Sequence, residues 1–334
     1  AAWPLGSISA KFVPDVGREV FGNIPGFVKA SFYIGTGITV GIMFYLFSLR
    51  ARNWSRGQTE RRTGRWLERY KAFERGVSMR TLMRDRQAGL MHSMVYFGFI
   101  MLLIGTITLE IDNLLPSNLK FLQGAFYQGY SAVLDGASLV YLGGLGWAFS
   151  RRYIQRPWRL KSKTRSEDAW ILVTLAIIGI TGLATEAARI RVMGQPDFEV
   201  WSFIGYPLSS LVPEATAAGW HQALWVSHAL SFAAFLVVLP TTKLRHMVTS
   251  PANMFLAPKD RPKGAMKQMP NLLEAEDIDV IGASTISEFT WKQLFDTDAC
   301  TVCGRCTSVC PANITGKPLD PREMVLKTGQ VMAK

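Results

Sequence analysis

Five apolar runs, each about as long as a bilayer is thick, constrain this chain more than any other feature. A hydrocarbon core of about 30 Å needs roughly 20 helical residues at 1.5 Å each. Runs of that length recur at 27–49, 89–111, 126–150, 169–188 and 217–244. The chain carries a formal charge of +12 over 334 residues, and its basic side chains are held in the gaps. Twelve Lys and Arg fall within 50–86 and seven within 151–165, while the loops on the other side carry only Lys120, Arg189 and Arg191. This asymmetry predicts an N-terminus outside and everything after the fifth run inside, as in a multi-pass protein of a prokaryotic cytoplasmic membrane. It argues against nucleic acid as a partner, because a binder of nucleic acid gathers its basic residues on one surface patch or stripe.

The expected fold is mainly α. An extracytoplasmic segment (1–26) leads into a five-helix transmembrane bundle (27–249) with a cytoplasmic loop at 50–88, a linker (250–290), and the start of a ferredoxin-like iron-sulfur region (291–334). In the first loop, GRWLERYKAFERGVSMRTLMRD sets Trp66, Leu67, Tyr70 and Phe73 at helical spacing among arginines. That pattern fits a helix lying on anionic headgroups, and equally a plain solvated helix.

All four cysteines lie in CTVCGRCTSVCP, as Cys300, Cys303, Cys306 and Cys310. Clustered thiols with none elsewhere do not make a disulfide framework; they suit a reducing compartment and metal ligation. The spacing C-x2-C-x2-C-x3-C-P is that of bacterial ferredoxins, in which thiolates of one loop hold a 4Fe-4S cluster. Structural zinc modules separate two C-x2-C pairs by a dozen or more residues, which this run does not. Gly304 relieves crowding where the loop curls, and Pro311 ends it. In two-cluster ferredoxins the fourth cysteine serves the other cluster. Cys310 then points either to one four-thiolate cluster or to a chain that stops inside a larger domain; the second is expected.

The histidines are His92, His221, His228 and His246, all in or beside the second and fifth apolar runs. An intramembrane histidine is a functional candidate by default, with helix packing as the plain alternative. His228 and His246 are 18 residues apart, so on one continuous helix they would share a face about 27 Å apart. Facing imidazoles from two helices are the usual axial pair of a b-type haem. Matching depths pairs His92 with His246, leaving His228 as a second-rank ligand or part of a deeper haem or quinone site. Asp135 and Glu186 are the other intramembrane candidates, for proton traffic or a quinone pocket, and His221 joins them. The plain reading pairs Glu186 with Arg189 or Arg191; Asp135 has no evident partner.

The histidine pattern resembles the cytochrome b (gamma) subunit of respiratory nitrate reductase and its relatives, whose further histidine on the second helix falls on Leu102 here. STISEFTWKQLFDTDACTVCGRCTSVCPANITGKPLDPREMVL is similar to the iron-sulfur region of heterodisulfide reductase-related oxidoreductases. The fusion of both looks like the bacterial membrane-bound electron-transfer-flavoprotein:quinone oxidoreductases, in which further cysteine motifs follow. That resemblance implies an oxidoreductase passing electrons from a cytoplasmic flavoprotein, or an iron-sulfur partner, through 4Fe-4S clusters and one or two haems b to menaquinone or another quinone. The alternatives are a quinol-oxidising disulfide reductase of the heterodisulfide type and a non-catalytic cytochrome b anchor relaying electrons for a separate subunit.

Overall fold

The computed structural model describes residues 16–161, 163–259 and 282–334. Residues 1–15 of the expected N-terminal segment and 260–281 of the expected linker lie outside the described residues. The main elements are α1 (Gly26–Trp54), α2 (Trp66–Val77), α3 (Arg86–Leu114), α4 (Gly124–Phe149), α5 (Ser166–Val192), α6 (Ala217–Thr241), α7 (His246–Phe255), α8 (Trp291–Asp298) and α9 (Pro321–Met332). No strand is present among the described residues, only the isolated bridges Gly17 with Gln123 and Gln58 with Thr290. Five helices, α1, α3, α4, α5 and α6, are long and apolar enough to cross a membrane, and a π-helical stretch at Ser150–Gln155 continues α4. The chain is therefore a mainly α membrane protein.

The fifth span does not run on to His246. Thr242 is extended (φ −115°, ψ −175°) and its side chain accepts from the Leu244 amide; a 3₁₀ turn, Lys243–Arg245, follows, and His246 opens α7. A hydroxyl that caps a new turn ends the old helix. His228 and His246 consequently sit on different helices, and the shared face deduced from an 18-residue interval does not exist.

The described residues form two compact units. Among the described residues the first draws on 16–37, Leu90–Phe149 and Leu172–Phe235. In lipid, helices associate through close backbone approach at small residues. A Cβ added at Gly98 of α3 would lie 2.8 Å from Tyr141 of α4, and one at Gly144 would lie 2.9 Å from Met94 and Val95. Gly179 brings α5 equally close to Leu142, and the Tyr141 hydroxyl donates to the Leu175 carbonyl at 2.9 Å. The buried stripe of α4 is polar: Tyr127, Ser131, Asp135, Ser138 and Tyr141 recur every three or four residues. Such a stripe inside an apolar helix needs partners within the protein.

The second unit comprises, among the described residues, Ile38–Gly89, 150–161, 163–171, 236–259 and 282–334. Here α2 rests on α7: Arg69 is buried and donates to the carbonyls of Gly64, Phe255 and Ala257 at 2.8, 3.2 and 3.1 Å, and Gly76 faces Met254. One face of α2 is thus anchored, while Trp66, Leu67 and Tyr70 are exposed. α8 and α9 pack through buried Leu294, Phe295 and Met332.

Candidate functional site

The cysteine segment is held on both flanks. Upstream, the Asp298 carboxylate, 3% exposed, accepts from Trp54 Nε1 at 2.8 Å and Arg50 Nη1 at 3.3 Å and forms an ion pair with Arg245 Nε at 2.9 Å, while its carbonyl accepts from Thr249 at 3.1 Å. The Gln58 amide donates to Phe289 and the Trp291 amide returns to Gln58, at 2.8 and 3.0 Å. Within the run, Arg305 donates to the Leu82 carbonyl at 2.8 Å. Downstream, Arg322 donates to the Arg159 carbonyl at 2.6 Å and to Asp320 at 2.9 Å, and Arg159 pairs with Asp85. Burial works to raise the Asp320 pKa, but bonds from Thr307 and Arg322 hold the carboxyl below its ordinary range. Arginines of both basic loops therefore seat the cysteine segment.

Val302 (φ 59°) and Gly304 (φ 71°) both adopt the left-handed region on either side of Cys303. Glycine tolerates it; a β-branched valine does so at a cost of about 1–3 kcal/mol, which a functional constraint has to offset. All four thiols are free. Burial pushes the Cys300 thiol up, and neighbouring Cys303 and Cys306 push it further, so the sulfurs feel one another's charge. No group of three His, Cys, Asp or Glu among the described residues converges on a single ion. Four thiols in one loop at C-x2-C-x2-C-x3-C spacing are the donor set that a 4Fe-4S cluster takes.

Each histidine can be read from its partner. A carbonyl only accepts, so His246 Nδ1, 2.6 Å from the Lys243 oxygen, carries the proton and Nε2 keeps its lone pair. Burial holds this imidazole below its ordinary pKa, neutral at pH 7. That state, with the second nitrogen bonded to a backbone carbonyl, is what an iron ligand requires. His228 Nδ1 lies 3.1 Å from Thr181 Oγ1, whose own proton goes to the Ile177 carbonyl at 2.6 Å. Nδ1 therefore donates, and Nε2 is again an acceptor. The buried His221 differs: Asn23 Nδ2, which also donates to the Ala218 carbonyl, lies 3.5 Å from His221 Nδ1. The proton then sits on Nε2, which suits a hydrogen-bond donor better than a metal ligand. His92 stacks on Tyr96, with ring centroids 6.4 Å apart.

Glu186 does not pair with Arg189 or Arg191. Arg189 is taken by Glu199, at 2.6 and 3.2 Å, and Arg191 by Glu214 at 3.3 Å. Glu199 is fully buried and also accepts from Tyr127 at 2.8 Å and Ser202 at 3.2 Å. Glu186 instead faces Asp135. Asp135 Oδ2 accepts the Ile204 and Gly205 amides at 2.6 and 3.2 Å, while Oδ1 is buried with no hydrogen-bond partner. Gly205 is required here, since a Cβ on it would lie 2.9 Å from the Glu186 carboxylate. Charges of Arg18 and Arg189 act on both Glu186 and His221. The first unit thus gathers Asp135, Glu186 and their cationic neighbours beneath 197–209. Sequence reasoning missed Glu199, Tyr127 and the two amides; the polar stripe on α4 was the available signal.

Residues 291–312 match the family model of a 4Fe-4S binding domain. Along most of its length the chain is similar to two curated proteins. One is a probable iron-sulfur-binding oxidoreductase, FadF, of Bacillus subtilis, 31% identical over 90% of this chain and 43% of the relative. The other is an EtfAB:quinone oxidoreductase of Syntrophomonas wolfei, 30% identical over 92% of this chain and 44% of the relative. A probable membrane-anchored ferredoxin of Chromohalobacter salexigens is 46% identical over 54 residues, 16% of this chain and 8% of the relative. The chain spans less than half the length of the two relatives it follows along most of its length. No solved structure matches it.

Proposed function

We propose that this chain is the membrane and first iron-sulfur part of an oxidoreductase that takes electrons from a cytoplasmic flavoprotein of the electron-transfer type and delivers them to a membrane quinone. The carrying observation is a 4Fe-4S binding segment fastened to residues of the membrane part, which Arg50 and Arg245 reach through Asp298 and which its own Arg305 and Arg322 reach through the Leu82 and Arg159 carbonyls. Cys300, Cys303, Cys306 and Cys310 are its cluster ligands. The haem donors we assign are His92 and His246, with His228 second; bound, both groups supply one-electron carriers in series.

The protein's own part is to hold and orient. Asp298 and Arg322 fix the ends of the cysteine loop, and Lys243 fixes the ring of His246. Reduction of a quinone consumes protons as well as electrons, and Asp135, Glu186, His221 and His228 are the groups we assign to that task. The N-terminus lies outside and the iron-sulfur segment in the cytoplasm, following the basic loops.

The test is a dithionite-reduced minus oxidised visible spectrum of the purified whole protein, with haem and non-haem iron quantified per chain. A b-type α band together with cluster iron is expected; His92→Ala and His246→Ala should each lose the band and keep the iron. Absence of the band would leave a membrane-anchored iron-sulfur protein with no haem to serve.

A further inference from the structure

Two cavities of the second unit share the side chains of Arg50 and Thr241. The larger, about 300 Å³, has Arg50, Lys163, Arg165, Lys243 and Arg245 in its wall against only Glu167 and Asp298. The acids near it are already engaged: Asp298 by Arg50 and Arg245, Asp168 by Lys243 and Arg152, Glu323 by Lys163. Arg165 has no ion pair among the described residues. Such a chamber attracts a multiply bonded oxyanion.

Its position selects the kind of anion. Arg50 lies in the final turns of α1, Arg165 directly precedes α5, and Thr241 ends α6, so three membrane-capable helices finish at this chamber. That is the depth at which lipid phosphates lie and at which Lys and Arg meet them. The smaller cavity, about 180 Å³, is otherwise bounded by Leu46, Leu49, Asn53 and Pro240, so it is chiefly apolar and opens from α1 and α6. A cationic chamber joined to an aliphatic slot matches one molecule with an anionic phosphate head and a hydrocarbon tail.

We infer that these joined cavities bind the phosphate of an anionic phospholipid headgroup, with the first part of its chain in the Leu46–Leu49 slot. The assignment is independent of the haem and of the quinone. Cys300 lies in the same wall, so the bound phosphate adds negative charge beside the cluster ligand and lowers the reduction potential of the centre held there.

The experiment uses the whole protein with its clusters, delipidated in a neutral detergent, and native mass spectrometry with phosphatidylglycerol, phosphatidylcholine or inorganic phosphate. Phosphatidylglycerol should be retained in preference to phosphatidylcholine. The K163Q/R165Q variant, whose side chains take no part in the Asp298 anchor, should bind phosphatidylglycerol about 30-fold more weakly, roughly fivefold per cation lost. Unchanged iron content and melting temperature would show that it folds. If inorganic phosphate alone binds with the same dependence on Lys163 and Arg165 and displaces phosphatidylglycerol, the ligand is a soluble phosphate and the lipid assignment fails. Equal retention of both lipids, or no loss in the variant, also overturns it.

Discussion

Replacing Glu199 with glutamine is the most demanding test of the packing in the first unit. Glu199 is fully buried and accepts from Nη1 and Nη2 of Arg189, with Tyr127 and Ser202 as further donors. Glutamine preserves the shape but leaves a buried guanidinium without its counter-charge, which costs about 3–5 kcal/mol. Tyr127→Phe removes one hydrogen bond to a charged acceptor and should cost about 1.5–3 kcal/mol. The double variant R189M/E199L removes both charges and should recover most of the loss, because two charges no longer have to be taken out of water. By thermal denaturation in lipid nanodiscs followed by circular dichroism, E199Q should melt on the order of 10 °C lower. The pH dependence has a definite sign. Burial works to raise the Glu199 pKa, but the bonds and charge of Arg189 outweigh it and hold the carboxyl below its ordinary value. Its contribution is therefore complete above the unfolded pKa of about 4.3 and disappears as pH falls through the lower folded value. E199Q should lack that acid-side loss. If E199Q melts within about 3 °C of the parent, or the double variant falls as far as the single, the reasoning about this pair is wrong.

Three further outcomes follow from the geometry. Gly304→Ala forces a side chain into φ 71° and sets its Cβ 3.1 Å from Arg159 and Arg322. It should cost about 1–2 kcal/mol and lower non-haem iron per chain, and unchanged iron would contradict the tight loop. Gly98→Ala places a Cβ 2.8 Å from Tyr141, whereas Gly136→Ala meets nothing within 4 Å. The first should destabilise by about 1–3 kcal/mol and the second should be neutral or slightly stabilising, as read from melting temperatures; equal effects would refute the α3–α4 contact. Asp298→Asn weakens the anchor shared by Trp54, Arg50 and Arg245 and should cost about 2–3 kcal/mol. Limited trypsin digestion should then release the C-terminal segment faster, and a parental cleavage rate would show that the anchor lies elsewhere.

What could be read in advance was whatever is written locally. Five spans follow from length and composition alone, and the 4Fe-4S binding segment from cysteine spacing within eleven residues, because such a loop is a local structure. The break before His246 is written in Thr242 as well, but a single capping hydroxyl is a weaker signal than an 18-residue interval that fits five turns of one helix. Asp135 could not be resolved from sequence at all. Its partners are the amides of Ile204 and Gly205, about 70 residues away, and backbone donors leave no side-chain signature. Arg189 had three acids within reach along the chain, Glu186, Glu199 and Glu214, and only the fold of 197–209 selects Glu199. Arg69 had the look of a solvated residue on an amphipathic helix, yet it is buried against carbonyls that cap no motif.

The anchoring of the cysteine segment has a consequence for how the protein is made. Arg50, Gln58, Leu82, Arg159 and Arg245 all precede Cys300 in the chain, and synthesis runs from the N-terminus at about 5–20 residues per second. Every upstream contact of the cluster loop has therefore left the ribosome, and the five spans with it, before the first cysteine appears. The seat for the loop is laid down first and the loop closes onto it last. Assembly of the iron centre is thereby made a late event, one that follows membrane insertion and reports on its success.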